Sequence, residues 1–181
     1  MAFKPFRKIA EKIRLMGEEN ERIQRYTALN TEELRALPED ELISAASARI
    51  ERILQEKNEL MRALFELTDP QRFFYIVRNY ETQLEGGGLW QYLADFSYRM
   101  APYLPESLRE LGAEEHRALF ETFLKENAID LQDLTRFSTF ELRKLEAAEV
   151  NPLSGFDAEY RELRPLSCYL TEYIENNIDS F

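Results

Sequence analysis

The chain has 181 residues and a formal net charge of −11, with 44% hydrophobic residues that include twelve Phe and nine Tyr. That length suits one domain, and so much apolar side chain excludes a largely disordered chain. The single cysteine, Cys168, excludes an internal disulfide framework, and no apolar run approaches the roughly 20 residues that span a bilayer.

The charge is unevenly placed. Residues 1–30 carry seven Lys/Arg against four Glu, a balance of +3, which leaves −14 on the remainder. An acidic body repels nucleic acid and anionic membranes and attracts a basic protein surface; the blander alternative is solubility alone. The start is basic, but Glu11, Lys12 and Arg14 interrupt what would be the apolar core of a signal peptide, so the expected compartment is the cytoplasm.

Helical signals dominate from the beginning. Phe6, Ile9, Ile13 and Met16 recur at spacings of three and four, an amphipathic stripe that weakens at Asn20 and Thr27. Residues 1–30 are therefore expected as a helical extension. It packs on the body, with pairing to a second copy or to another partner as alternatives. Thr31-Glu32-Glu33-Leu34 opens a short turn. Leu37-Pro38-Glu39-Asp40-Glu41 has Pro at a helix start and acids at the positive end of the dipole. Leu42, Ala46, Ile50, Ile53 and Leu54 keep helical spacing, and Leu60, Leu64 and Leu67 are expected to continue it. Asp69-Pro70 is taken as a capping residue before a first-turn proline. It opens a helix whose buried side includes Phe73, Phe74, Val77, Tyr80 and Leu84.

Gly86-Gly87-Gly88 ends that helix, and a short one is expected from Leu89 to Tyr98 with Leu89, Trp90, Leu93 and Phe96 on its inner side. Pro105 starts another, stopped at Leu111-Gly112 by a left-handed C-cap. His116, Leu119, Phe120, Phe123 and Leu124 mark the next, and Ser138 to Glu141 has capping-box spacing. Asn151 to Gly155 is expected as a loop, and Phe156 to Phe181 as one or two closing helices broken near Pro165. The fold class is thus all-α, with residues 31–181 as one compact multi-helix domain.

The glycine triplet lacks the Gly-Lys-Ser/Thr ending of a phosphate loop and follows no strand, so a helix corner is expected in place of a nucleotide site. Trp90 and Tyr92 are expected in the core with their polar tips partnered; the alternative is that Tyr80, Glu81, Trp90, Gln91 and Tyr92 line a pocket at the corner. Cys168 is expected on the buried face of a helix. One His and one Cys leave no metal constellation, and Glu115-His116 is adjacent, so its side chains diverge on a helix. No pair of carboxylates stands out for acid–base work. The expectation is a protein that is not an enzyme, with no metal and no cofactor.

Tyr80-Glu81 followed by Gly86-Gly87-Gly88-Leu89-Trp90-Gln91-Tyr92 resembles the signature of a bacterial DNA mimic protein (DMP)-like family: Glu, then Asn-Gly-Gly-Phe-x-Gln-Tyr/Phe. Leu37 to Leu42, Leu108 to Ala113, Phe156 to Tyr160, and Tyr173 to Asn177 with Phe181 extend the likeness across residues 37–181. Gly86 replaces the usual Asn, Leu89 the Phe, and Asp95 a common Asn. Glycine for Asn keeps a left-handed turn possible but loses the side chain, which favours a conformational role. The resemblance implies an all-α fold, a dimer, and action as an acidic DNA mimic that occupies the DNA-binding surface of a transcription factor or nucleoid-type protein.

Such mimicry needs carboxylates in rows, and residues four apart on a helix rise about 6 Å on one face. The candidate surface comprises Glu106, Glu110, Glu114, Glu115, Glu121, Glu126, Asp130 and Asp133, with Glu172, Glu175 and Asp179 as a second tract. Interleaved Arg109, Arg117, Lys125 and Arg136 are expected to neutralise it in part. The expected partner is a protein with a basic surface, not nucleic acid or membrane. The alternative is an interaction or immunity-type protein that binds through an apolar surface including the N-terminal helix.

Overall fold

In the computed structural model, residues 17, 20–57, 59–131 and 152–181 are described, and every regular element among them is helical. The expected stripe Phe6–Met16, the capping box at Ser138–Glu141, Asn151, and the candidates Asp133 and Arg136 lie outside them.

Helix α1 spans 20–28 and α2 Thr31–Arg35. Asn30 and Glu33 cap α2 reciprocally, which turns the expected short turn into a helix. α1 lies on the body: Tyr26 is buried, its hydroxyl donates to Glu41 (3.1 Å), and Arg25 pairs with the same carboxylate (2.6 Å).

Helix α3 (Glu39–Gln55) starts where Pro38 suggests, with Leu42, Ala45, Ala46, Ile50 and Leu54 buried and Ile53 left exposed. It does not continue to Leu60 as the spacing implies. Gln55 to Glu59 is an unbroken polar run with nothing to bury, so the chain turns through extended Glu59 before α4 (Leu60–Leu64).

Helix α5 (Asp69–Ala94) is the axis against which the rest packs, touching α3, the 3₁₀ segment Phe96–Tyr103, α6 (Leu104–Glu110), α8 (Pro152–Glu162) and α9 (Leu166–Asn176). Its cap is Thr68, one residue before the expected Asp69. The Thr68 hydroxyl accepts from Gln71 N–H and Gln71 accepts from Thr68 N–H. That leaves the Asp69 carboxylate free to pair with Arg72 (2.6 Å) in the first turn. Phe74, Val77, Tyr80 and Leu84 are buried as expected, together with Ile76, while Phe73 is half-buried.

The second half of α5 ends at Ala94, four residues before the expected Tyr98. Asp95 is extended, and its carboxylate collects Ser97 (3.2 Å) and Gln83 (3.3 Å), so the chain tightens into 3₁₀ geometry and Phe96 turns outward.

α6 closes as read from Leu111-Gly112. Gly112 has φ +74°, its N–H donates to Arg109 O (2.9 Å), and Ala113 N–H donates to Leu108 O (2.8 Å). α7 (Glu114–Glu126) buries His116, Phe120, Phe123 and Leu124. α8 begins at Pro152, so the expected loop through Gly155 is largely helix, because Leu153 and Phe156 both reach the core. α9 follows Pro165, and a 3₁₀ turn, Ile178–Ser180, ends on Phe181.

Arg49 of α3 gathers both ends of this arrangement, donating to the carbonyls of Leu29 and, at 2.7 Å, of Phe181. Gln71 donates to Ser180 O (2.7 Å), and Phe181 meets Phe74 edge-on.

Two glycines separate conformational need from convenience. Nothing crowds a Cβ at either Gly112 or Gly155, but only Gly112 has positive φ. Gly112→Ala is expected to cost about 1–2 kcal/mol of unfolding free energy. Gly155→Ala, in a helical turn, is expected to add about 0.5 kcal/mol. Urea denaturation of both variants checks the opposite signs.

Candidate functional site

The glycine triplet builds a corner inside α5. Gly87 and Gly88 leave helical geometry, and Gly88 carries φ +71°. A Cβ at Gly87 would run into the Gln91 side chain, and one at Gly88 into the carboxylate of Asp157. That carboxylate, brought by α8, accepts from Leu89 N–H at 2.8 Å. Leu89 is the first residue past the corner, so Asp157 caps a new helix start with a negative charge at its positive end.

A reciprocal contact leaves from the other side of the corner. Glu81 is 2% exposed, pairs with Arg78 at 2.5 Å, and accepts from the backbone N–H of Ser167 in the first turn of α9. Burial raises its pKa, and the Arg78 hydrogen bond and charge only partly oppose this.

Tyr80 and Tyr92 are fully buried, with rings 4.9 Å apart edge-on and Phe120 beside both. Among the described residues neither hydroxyl has a hydrogen-bond partner, contrary for Tyr92 to the expectation that its polar tip finds one. Aromatic neighbours from α7 and α8, among them Phe120 and Tyr160, surround the pair, and burial drives both hydroxyl pKa values strongly upward. Trp90 is half-buried, and Gln91 donates to Gln83 (2.7 Å). Gly87 and Gly88, with Gln91 against the first and Asp157 against the second, form the bend within α5.

His116 is 1% exposed, while neighbouring Glu115 faces solvent. Its Nε2 lies 2.7 Å from Arg164 O and so donates to that carbonyl, and its Nδ1 has no partner among the described residues. Tyr160 and Tyr169 flank the ring edge-on. Burial lowers the His116 pKa below its ordinary 6.5, outweighing the Arg164 bond and the Glu115 charge.

The sequence-derived acids form exposed rows tied by arginine. Arg109 reaches Glu110 (3.1 Å) and Glu106 (3.5 Å), and Arg117 reaches Glu114 (2.7 Å) and Glu121 (3.0 Å). Arg164 pairs with Glu172 (2.5 Å), and Arg35 approaches Asp179 (3.8 Å). The expected partial neutralisation by Arg109 and Arg117 is present. Glu115, Glu126, Asp130 and Glu175 are exposed. The Tyr173 hydroxyl is pushed up to about 12 by burial and then by the charges of Glu110 and Asp69.

A cleft of about 660 Å³ between α3, α5 and α9 collects carboxylates from three separate helices: Glu39, Glu81 with Glu85, and Glu172 with Glu175. Cys168 lines it, half-buried, and is not in the core as expected. The buried face of α9 runs through Leu166, Leu170 and Ile174, which leaves residue 168 on the flank. Of this cleft only Glu172 and Glu175 belonged to the sequence-derived acidic surface. Among the described residues no group of three or more His, Cys, Asp or Glu is placed to hold a metal, and no helix is long and apolar enough to cross a membrane.

The sequence model of the DMP19-like protein family matches residues 65–177, well over half of the chain. The chain belongs to this family. The matched stretch is shorter than the 37–181 suggested by motif likeness; it includes all of α5 and runs through α9, with both Leu89 and Asp157 inside it. No curated protein and no solved structure matches the chain.

Two outcomes follow from the corner and the histidine. Asp157→Ala is expected to cost about 1–2 kcal/mol through the lost cap. Gly88→Ala should cost more, and the double variant less than the sum, because removing the carboxylate relieves the collision; a denaturation double-mutant cycle measures the coupling. His116 is held neutral, so the native state binds fewer protons than the unfolded one below about pH 6.5. Its contribution is present above the unfolded pKa and lost as pH falls, so urea midpoints should drop from about pH 7.5 to about pH 5.5, and His116→Gln should flatten that drop.

Proposed function

We propose that this protein is not an enzyme and works by binding another protein through its acidic surface, with mimicry of DNA against a basic DNA-binding protein as the specific form. The observation that carries this reading is the row of exposed carboxylates on α6 and α7, held in place by Arg109 and Arg117. Ordered charges at helical spacing present a fixed pattern to a partner. Membership of the DMP19-like family and the net charge of −11 point the same way. The left-handed Gly112 divides the row, with Glu106 and Glu110 before it and Glu114 and Glu121 after.

A second reading, binding through an apolar surface, rests on Phe65 and Phe96, 49% and 43% exposed, and on the aromatic groove at Tyr98, Pro102 and Tyr103.

Salt separates the two readings. Immobilised protein exposed to a host extract is expected to retain basic, DNA-binding proteins at low salt, release them as salt rises, and lose them to added duplex DNA. Retention of non-basic partners alone, indifferent to salt and DNA, would rule out mimicry and favour the apolar surface.

A further inference from the structure

Among the described residues three large apolar side chains stand exposed, Ile53, Phe65 and Phe96, and two of them belong to one surface. An open groove of about 860 Å³ runs between α4 and the 3₁₀ segment, walled by Met61, Phe65, Pro102, Tyr103 and Leu131. Tyr103 meets Phe65 edge-on at 5.0 Å, which fixes one wall against the other. Phe96 joins this surface through Arg99, which lines the groove and lies over the Phe96 ring at 4.3 Å. Aromatic, Met and Arg side chains are the types enriched where proteins meet.

The local charge is opposite to that of the body. Arg62 and Arg99 line the groove and no described carboxylate does, in a chain of net charge −11. Arg25, Arg78, Arg109, Arg117 and Arg164 each hold a carboxylate at 3.1 Å or less. Arg99 holds none among the described residues, and exposed Arg62 approaches Glu66 only to 3.5 Å. An occupant that brings carboxylates beside apolar anchors suits both features, and a basic one is repelled. That sets aside the chain's own stripe of Phe6, Ile9, Ile13 and Met16, where Lys4, Arg7, Lys8, Lys12 and Arg14 face Glu11 alone. Nucleic acid and anionic lipid carry the required sign, but an acidic body repels extended polyanions. A short acidic segment meets chiefly the local field.

We infer that the groove between α4 and the 3₁₀ segment docks an acidic, amphipathic segment of a protein partner. Its apolar side chains lie on Met61, Phe65 and Tyr103, and its carboxylates on Arg99 and Arg62. This rests on the apolar-surface reading and gives that surface its partner's chemistry. The acidic rows of α6 and α7 are left for a partner of the opposite charge.

The test titrates the full chain with a synthetic peptide that places Phe and Leu one helical turn apart between glutamates. A control peptide carries glutamine at every glutamate. The acidic peptide is expected to shift the amides of Met61, Phe65, Arg99 and Tyr103 in NMR spectra. Arg99→Glu should weaken its binding about tenfold, and the glutamine peptide should bind the parent about tenfold more weakly. Glu114→Gln with Glu121→Gln should change affinity less than about twofold. Phe65→Ala probes the apolar wall and should also weaken binding about tenfold. Arg99 is exposed, so Arg99→Glu keeps the test open if Phe65→Ala disturbs folding, which circular dichroism shows. Equal affinity for both peptides, unchanged by Arg99→Glu, overturns this inference and leaves the apolar-surface reading standing. No shift at the groove with either peptide overturns both and leaves the acidic-surface reading, which concerns basic partners, intact. If phosphatidylglycerol vesicles perturb these amides and the peptide does not, the groove belongs to a membrane. If raising the protein concentration alone does so, it belongs to a second copy. Either result overturns the inference.

Discussion

Asp157 and the N–H of Leu89 meet at 2.8 Å across 68 residues of sequence, and α5 turns its corner on that contact. A helix that restarts mid-chain exposes unpaired N–H groups, and here they would sit inside the protein. The carboxylate satisfies one of them and occupies the volume that a side chain at Gly88 would need. Everything downstream inherits its direction from this joint: Leu89, Tyr92 and Leu93 enter the core from beyond it, while Tyr80 and Glu81 are presented from before it. Because Glu81 in turn meets the start of α9, the corner fixes α8 and α9 from opposite sides.

Charge is used in two distinct ways. The buried groups, Glu81 and His116, are few and hold elements together through specific bonds, at the cost of desolvation. The exposed pairs contribute at most about 1 kcal/mol each. Their consequence is positional: Arg109 and Arg117 each span two acids, so the carboxylates on α6 and α7 keep a defined spacing.

Where the apolar period runs unbroken, the sequence is transparent. His116, Phe120, Phe123 and Leu124 declare α7, and Leu111-Gly112 declares the end of α6, because both signals are local. Boundaries were legible only to within competing local options. Thr68-x-x-Gln71 outcompetes Asp69 as the cap, and the polar run Gln55–Glu59 cannot sustain a helix that leucine spacing alone would extend. The glycine corner was visible, but its reason was not, since nothing local connects residue 88 to residue 157. The acidic cleft was illegible for the same cause: residue 39, the pair 81 and 85, and the pair 172 and 175 come together only after α3, α5 and α9 pack. Cys168 was misplaced because an apolar neighbourhood in sequence hides a flank position on a helix.

Arg49 carries a consequence of another kind. One guanidinium holds the carbonyls of residues 29 and 181, which lie far apart in sequence. The link that follows α1 and the C-terminal turn are therefore thermodynamically linked. Fraying of one leaves the shared cation with a single anchor, which lowers the cost of releasing the other. Opening of the two ends becomes one cooperative event governed from the middle of α3, and amide exchange in both segments should report a common free energy.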